Sequence, residues 1–123
     1  MSNAEKLFSY SFTNKDYLNI EAIFSDETQN FVSPININFN QPFEIMIRTA
    51  KNNIDKIFLC SNNNRFLMYK KFSDEIFDYF CVKINGCQYR FEYYFELHRE
   101  NKIYFYNKRG LYDILNPEYN FAV

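Results

Sequence analysis

This 123-residue chain has no tryptophan, only two glycines, three prolines and three cysteines, and a single histidine. The lack of Trp leaves Phe and Tyr to supply any aromatic core. The scarcity of Gly means that turns needing positive φ must be made by another residue. Cys60, Cys81 and Cys87 form an odd set without metal-ligand spacing. That argues against a disulfide framework and a zinc-ribbon pattern, and it points to free, mostly buried thiols in a reducing, cytoplasmic setting. His98, the one histidine, lies in a charged stretch without an obvious Ser or Cys partner, which argues against a nucleophile–histidine triad. No apolar run approaches the roughly 18 residues of a membrane span. The start has neither a basic segment nor an apolar core of signal-peptide type. Net charge is −1 and the pI is near 5.8, so no bulk field draws the chain to nucleic acid or to anionic lipid.

What the chain has is aromatic and amide side chains. There are 15 Phe and 11 Tyr, residue types that fit a pleated, half-buried surface. Asn clusters at positions 36–40 and 62–64. Asn tolerates positive φ, so it can replace Gly in turns; biased codon usage is the alternative source of the excess. The length fits one domain, which hides roughly two-thirds of its unfolded surface and so holds a real core.

Residues 1–18 are polar with scattered aromatics and read as an N-terminal extension. Within it Ser2-Asn3-Ala4 resembles a purification-tag remnant, although Met1 before it fits that poorly. From residue 19 onward the pattern is strand after strand. Ile20 to Phe24 and Phe31 to Pro34 are short strand candidates around a polar turn. Phe43, Ile45 and Ile47 alternate with Glu44 and Arg48. Ile57 to Cys60 precedes the polar loop Ser61 to Asn64. Phe66 to Phe72 then reads as one strand, with Phe66, Met68 and Phe72 on one side. Phe80, Val82 and Ile84 share a face, and Asn85-Gly86 is the strongest hairpin signal in the chain. Phe91, Tyr93, Phe95 and Leu97 alternate with Arg90, Glu92, Tyr94, Glu96 and His98, the clearest strand of all. After a turn at Glu100-Asn101, Ile103 and Phe105 alternate with Tyr104 and Tyr106. Gly110 ends that strand, and Tyr119 to Val123 opens another. About eight strands, short turns and no convincing helix predict an antiparallel β-sandwich, with a small β-barrel as the alternative. The chain stops inside the apolar run Phe121-Ala122-Val123, which predicts a piece of a longer protein.

One stretch is more particular than generic sheet: Ser73-Asp74-Glu75-Ile76-Phe77-Asp78-Tyr79-Phe80. Its three carboxylates resemble an acid–nucleophile set, which in retaining glycoside hydrolysis sits about 5 Å apart. The plainer expectation is that Asp74 and Glu75 cap a turn and that Asp78 pairs with a nearby Lys or Arg. Three carboxylates without a loop motif are weak grounds for calcium. No metal or cofactor is expected.

The same stretch resembles "S-D-E-x-F-D-Y-[FW]" of the N-terminal domain of neopullulanases, cyclomaltodextrinases and maltogenic amylases in glycoside hydrolase family 13. That domain is also called carbohydrate-binding module family 34. Ile20-Glu21-Ala22-Ile23-Phe24 is similar to its "L-E-A-I-[FY]", and Phe31-Val32-Ser33-Pro34 to its "Y-A-Y-P". The stretch from Ile47 to Asp55 resembles "L-R-[TA]-K-K-x-D-[IV]-x", and that from Tyr89 to Phe95 resembles "R-[LV]-[RK]-Y-x-F". Arg109-Gly110-Leu111 is similar to "[KT]-G-F", and Asn120-Phe121 stands where the family has "Y-F-x-F-P-F". The matches run in order from Ile20 to the end. The resemblance implies an Ig-like β-sandwich over residues 19–123 at the N-terminus of an α-glucan hydrolase. It implies that the catalytic carboxyls lie in a barrel outside this chain, so the module carries no catalytic residue. It further implies two partners, the barrel of the same polypeptide and a second subunit of a homodimer, with α-glucan as a ligand in some members.

Two groups of residues are candidates for contact. A sugar needs an aromatic face for its C–H surface and amides or Arg for its hydroxyls. Asn63, Asn64, Arg65 and Phe66 have those ingredients. Family members carry an Asp and an aromatic residue in the corresponding loop. This chain lacks the Asp, and Phe66 either stands for the aromatic or starts the next strand inward. A solvated turn is the plainer expectation, and the lack of Trp weighs against a strong starch platform. Tyr94, Tyr104 and Tyr106 are read as lying on the polar faces of adjacent strands. They form either a cross-strand ladder or an exposed patch for a partner. Lys70, Lys71 and Arg90 stand among aromatics, as in nucleic-acid-binding folds, but the acidic balance argues against that. The expected function is a non-catalytic hydrolase module for dimerisation and substrate-site shaping. The alternatives are an autonomous maltooligosaccharide-binding module and an Ig-like interaction domain with no sugar role.

Overall fold

The computed structural model describes residues 18–33, 41–86, 90–113 and 119–122. The extension before Leu18, Pro34, the asparagines at 36–40, Cys87, Tyr89 and Val123 lie outside the described residues. Among those described, ten strands form: β1 (Val32–Ser33), β2 (Phe43–Ala50), β3 (Lys56–Ser61), β4 (Asn64–Leu67), β5 (Tyr69–Ser73), β6 (Phe77–Ile84), β7 (Glu92–Arg99), β8 (Lys102–Asn107), β9 (Gly110–Tyr112) and β10 (Phe121–Ala122).

Alternation sets which face each strand buries. Phe43, Ile45 and Ile47 of β2 are at most 1% exposed, while Glu44, Met46 and Arg48 between them are partly exposed. Tyr93, Phe95 and Leu97 of β7 are wholly buried. Strands β1-β2-β6-β5 make one sheet and β4-β3-β7-β8-β9 the other, with β10 paired to β7. Every pairing is antiparallel. The two inner faces meet in one core, where the ring of Phe43 in the first sheet lies 5.4 Å from that of Phe91, the residue leading into β7 of the second. The expected two-sheet sandwich is therefore the observed one.

Four local expectations are corrected. Ile20 to Phe24 is not a strand. Ile20–Ala22 forms a 3-10 turn, with Ala22 N–H donating to Asn19 O and Ile23 N–H to Ile20 O. Those donors are used locally, and only Phe24 reaches the sheet, exchanging backbone bonds with Arg48 at 3.0 and 2.8 Å. Phe66 to Phe72 is two strands in two sheets. The chain crosses at buried Met68, whose N–H donates to Ile57 O at 2.9 Å. A register shift between Lys70 and Phe72 follows, and Phe72 stacks outward on Tyr79 at 4.4 Å. Asn85-Gly86 closes no hairpin, because β6 pairs with β2 and β5 while β7 pairs with β3, β8 and β10. Val82 and Ile84 must face Phe91 and Tyr93 across the core from the opposite sheet, and burial of both rows overrides the local turn preference. Tyr104 and Tyr106 face inward, opposite Leu97 and Phe95, so Ile103 and Phe105 are the outward pair.

The asparagine reading is supported by backbone angles. Asn52, Asn62 and Asn63 all take positive φ, at 55°, 48° and 68°. Asn62-Asn63 joins β3 to β4, with both central residues on the positive side as a type I′ turn requires. Replacing Asn63 by Gly should leave stability within about 0.5 kcal/mol, whereas Asn63→Val should cost about 1–2 kcal/mol for the left-handed backbone. Urea unfolding of the two variants checks this.

Candidate functional site

The acidic stretch supplies no pair of free carboxylates. Asp74 Oδ1 accepts from the N–H groups of Ile76 and Phe77 at 2.8 and 2.7 Å, closing the turn before β6. Asp78 is 1% exposed and points inward. Its carboxylate accepts from Ser73 Oγ at 2.6 Å and Asn52 N–H at 2.8 Å, and pairs with Lys70 Nζ at 3.2 Å. Burial opposes its charge, but the bonds from Ser73, Asn52 and Lys70 outweigh burial and hold the pKa below its ordinary value. Both aspartates are thus occupied in shaping the β5–β6 end of the sandwich. Among the described residues no three His, Cys, Asp or Glu side chains converge as a metal site, and no helix is long and apolar enough to cross a membrane.

A depression of about 330 Å³ opens beside the β3–β4 turn, lined by residues 60–65 and Tyr94. Ser61 Oγ donates to Glu92 O at 2.6 Å and anchors the turn to β7. Arg65 lies over the Phe58 ring at 4.1 Å and pairs with Glu96 at 2.7 Å. Glu96 also holds His98 Nε2 at 2.7 Å and receives Cys60 Sγ at 3.6 Å. Burial disfavours the Glu96 charge, but His98 and Arg65 outweigh burial and keep it below the usual carboxylate range. Burial pushes the Cys60 thiol up to about 11, with Glu96 adding to the rise. Burial likewise raises the Tyr94 phenol to about 12, with Cys60 adding to it. At neutral pH, then, the depression presents a neutral thiol, a neutral phenol, three amides and a guanidinium whose charge is already met by Glu96. Such a set holds a neutral polar ligand by hydrogen bonds and ring contact, and has no acid or base poised for bond cleavage.

Of the four residues picked for sugar contact, Asn63, Asn64 and Arg65 line this depression and Phe66 does not. Phe66 pairs with buried Leu59 and packs on the core. The parity of β4, alternating with exposed Arg65 and Leu67, turns it inward. Tyr94 supplies the aromatic wall instead. Its neighbour Cys60 stands directly across from it on β3. Cross-strand register was the signal that could have found it. The three tyrosines do not form one patch: Tyr94 is outward, Tyr106 is 9% exposed within the core, and Tyr104 packs against that core.

Two antiparallel sheets with a shared aromatic core and connections that cross between them define an immunoglobulin-like β-sandwich. Residues 18–122 match the model of the family described as "Alpha amylase, N-terminal ig-like domain", and the chain belongs to that family. Among solved structures it is similar to a cyclomaltodextrinase, with 20% identity and a TM-score of 0.73 over 85% of this chain. It is also similar to a maltogenic amylase from S. marinus, with 16% identity and a TM-score of 0.69 over 90% of this chain. The chain spans 19% and 15% of those two proteins. A search of curated protein sequences finds no match.

Proposed function

We propose that this chain is the non-catalytic N-terminal module of an enzyme that hydrolyses α-1,4 and α-1,6 bonds in maltooligosaccharides. In this reading the module packs against the catalytic barrel of its own polypeptide and against a second subunit, and helps to shape the substrate site. Family membership over residues 18–122 carries the reading. The depression beside Asn62-Asn63 adds the means: a protruding polar turn with Tyr94 behind it offers hydrogen bonds and a ring to a neutral sugar. Cys60 and Cys81 are free thiols, which fits a reducing, cytoplasmic setting.

Two measurements test the reading. The 123-residue chain should run with unchanged mobility in gels with and without amylose, because a shallow depression of this kind gives affinity no better than the millimolar range, about −4 kcal/mol. Strong retardation would instead support an autonomous glucan-binding module. In the whole polypeptide, Tyr94→Ala should alter the ratio of activity on cyclodextrin to activity on soluble starch by about three- to tenfold, the effect of losing roughly 1 kcal/mol of ring contact. An unchanged ratio would remove the depression from substrate-site shaping.

A further inference from the structure

The outer face of the four-stranded sheet carries a row of aromatic side chains around one cation. Direct cross-strand neighbours share a face, so Phe72, Tyr79, Arg48 and Phe24 line up across β5, β6, β2 and the segment after the 3-10 turn. Phe77 and Phe31 flank this row. The Arg48 guanidinium lies over the Phe77 ring at 4.3 Å and near that of Phe24 at 5.6 Å, and Phe31 meets Phe24 edge-on at 5.2 Å. Phe24 is 38% exposed and Phe72 49%. Water therefore covers an aromatic stripe with a cation at its centre.

Among the described residues the charge of that cation is not met. Arg48 Nε donates to Ala22 O at 2.9 Å, which fixes the head group. Among the described residues no carboxylate pairs with it. Other basic groups on the sheets do have such partners: Lys71 with Glu44, Lys70 with Asp78, and Arg65 with Glu96. A guanidinium held over a ring and fixed by one backbone bond is pre-organised to take a carboxylate through its remaining N–H groups. Arg and large aromatics are also the residues that carry most binding energy at protein interfaces. A small free anion fits poorly, because it wants several donors and here the neighbours are rings.

We propose that this face, centred on Arg48, seats another domain of the same polypeptide, and that the domain presents an Asp or Glu side chain ringed by apolar groups. The occupant follows from length and charge. The chain spans under a fifth of the proteins it resembles, and an anionic group with apolar surroundings complements Arg48, which no carboxylate among the described residues meets. This rests on the reading of the chain as a module of a longer enzyme.

Hydroxyl-radical footprinting tests it on the whole polypeptide, with the 123-residue chain as reference. Phe24, Phe72 and Tyr79 are expected to react about tenfold more slowly in the whole polypeptide, and Arg48→Glu to restore most of that reactivity, as loss of an interface hot spot does. Arg48→Lys, which keeps the charge, should retain part of the protection and shows that the effect of Arg48→Glu is not unfolding. Equal reactivity of the rings in the two proteins would overturn the proposal, as would protection that survives Arg48→Glu. An Arg48-dependent dimer of the 123-residue chain would overturn it in favour of a second copy. An open face on an enzyme active toward maltooligosaccharides would sink this inference alone. A protected face on a polypeptide inactive toward α-glucans would sink the hydrolase reading alone.

Discussion

Phe95→Ala is expected to lower stability by about 4 kcal/mol, the cost of emptying a wholly buried aromatic site. Phe95 is 0% exposed, and its ring meets those of Tyr93, Tyr106 and Phe121 at centroid distances of 5.7, 6.2 and 5.8 Å. These rings come from β7, β8 and β10, so the cluster joins the last strand to the middle of the larger sheet. A cavity there cannot close without moving three strands. A domain of this kind is stable by about 5–15 kcal/mol, so the variant should lose a large share of its margin. With a urea m-value of about 2 kcal/mol/M, the midpoint should fall by about 2 M at unchanged m. Phe72→Ala is the contrast. Phe72 is half exposed and stacks only outward, so its loss should cost less than about 1 kcal/mol. Equal effects of the two substitutions would contradict the assignment of inward and outward faces.

Asp78→Ala should cost about 3 kcal/mol. The buried carboxylate accepts from the Asn52 N–H and the Ser73 hydroxyl, and hydrogen bonds to a charged group contribute about 1.5–3 kcal/mol. Lys70 is 43% exposed, so its charge returns to water and adds little. The pH dependence has a definite sign. The folded-state pKa of Asp78 lies below its ordinary value of 3.8. The network's contribution is therefore complete above that value and is lost as pH falls through the lower, folded-state pKa. Glu96 and Glu44 are depressed in the same direction. Asp78→Asn should lower the neutral-to-basic plateau of a stability–pH curve without changing its slope, and should flatten the acid limb. Thermal melts from pH 2 to 8 read this directly, and an acid limb as steep as that of the parent would contradict it.

Much of this fold is legible in the residues, and the reasons are specific. Strands β2 and β7 alternate inward apolar and mostly polar outward side chains, with Met46, Thr49 and Tyr94 off the pattern, and both were expected with the correct inward face. Strand β8 has no polar face to read, since Ile103, Tyr104, Phe105 and Tyr106 are all apolar or aromatic. Its parity comes from the short Glu100-Asn101 turn, which sets Arg99 opposite Lys102 and hence Leu97 opposite Tyr104. Local turn chemistry misled at Asn85-Gly86, where two inward-facing rows had to end in opposite sheets. It succeeded at Asn62-Asn63, where the strands on either side do pair. The break at Met68 left no polar or Gly/Pro mark, because Leu67, Met68 and Tyr69 are all apolar or aromatic although only Met68 is buried.

The candidate site was legible in part for the same physical reason. Asn63, Asn64 and Arg65 are local to one turn, so sequence proximity placed them together. Tyr94 stands beside them only through the register of β3 on β7, some thirty residues away in the chain. The row through Arg48 also depends on register, and on the backbone bridge to Phe24 in a segment expected to be a strand. Asp74 and Asp78 sit in the motif that resembles the family, and both act structurally. Asp74 closes a turn, and Asp78 buries its charge against three donors.

The central claim is that this module serves an α-glucan hydrolase without performing the chemistry. Release of reducing ends from maltooligosaccharides and β-cyclodextrin, assayed side by side for the 123-residue chain and for the whole polypeptide that carries it, tests this most directly. Hydrolysis by the whole polypeptide and none by the chain is the expected result. Hydrolysis by the chain alone, or a whole polypeptide inert toward every α-glucan offered, would contradict it.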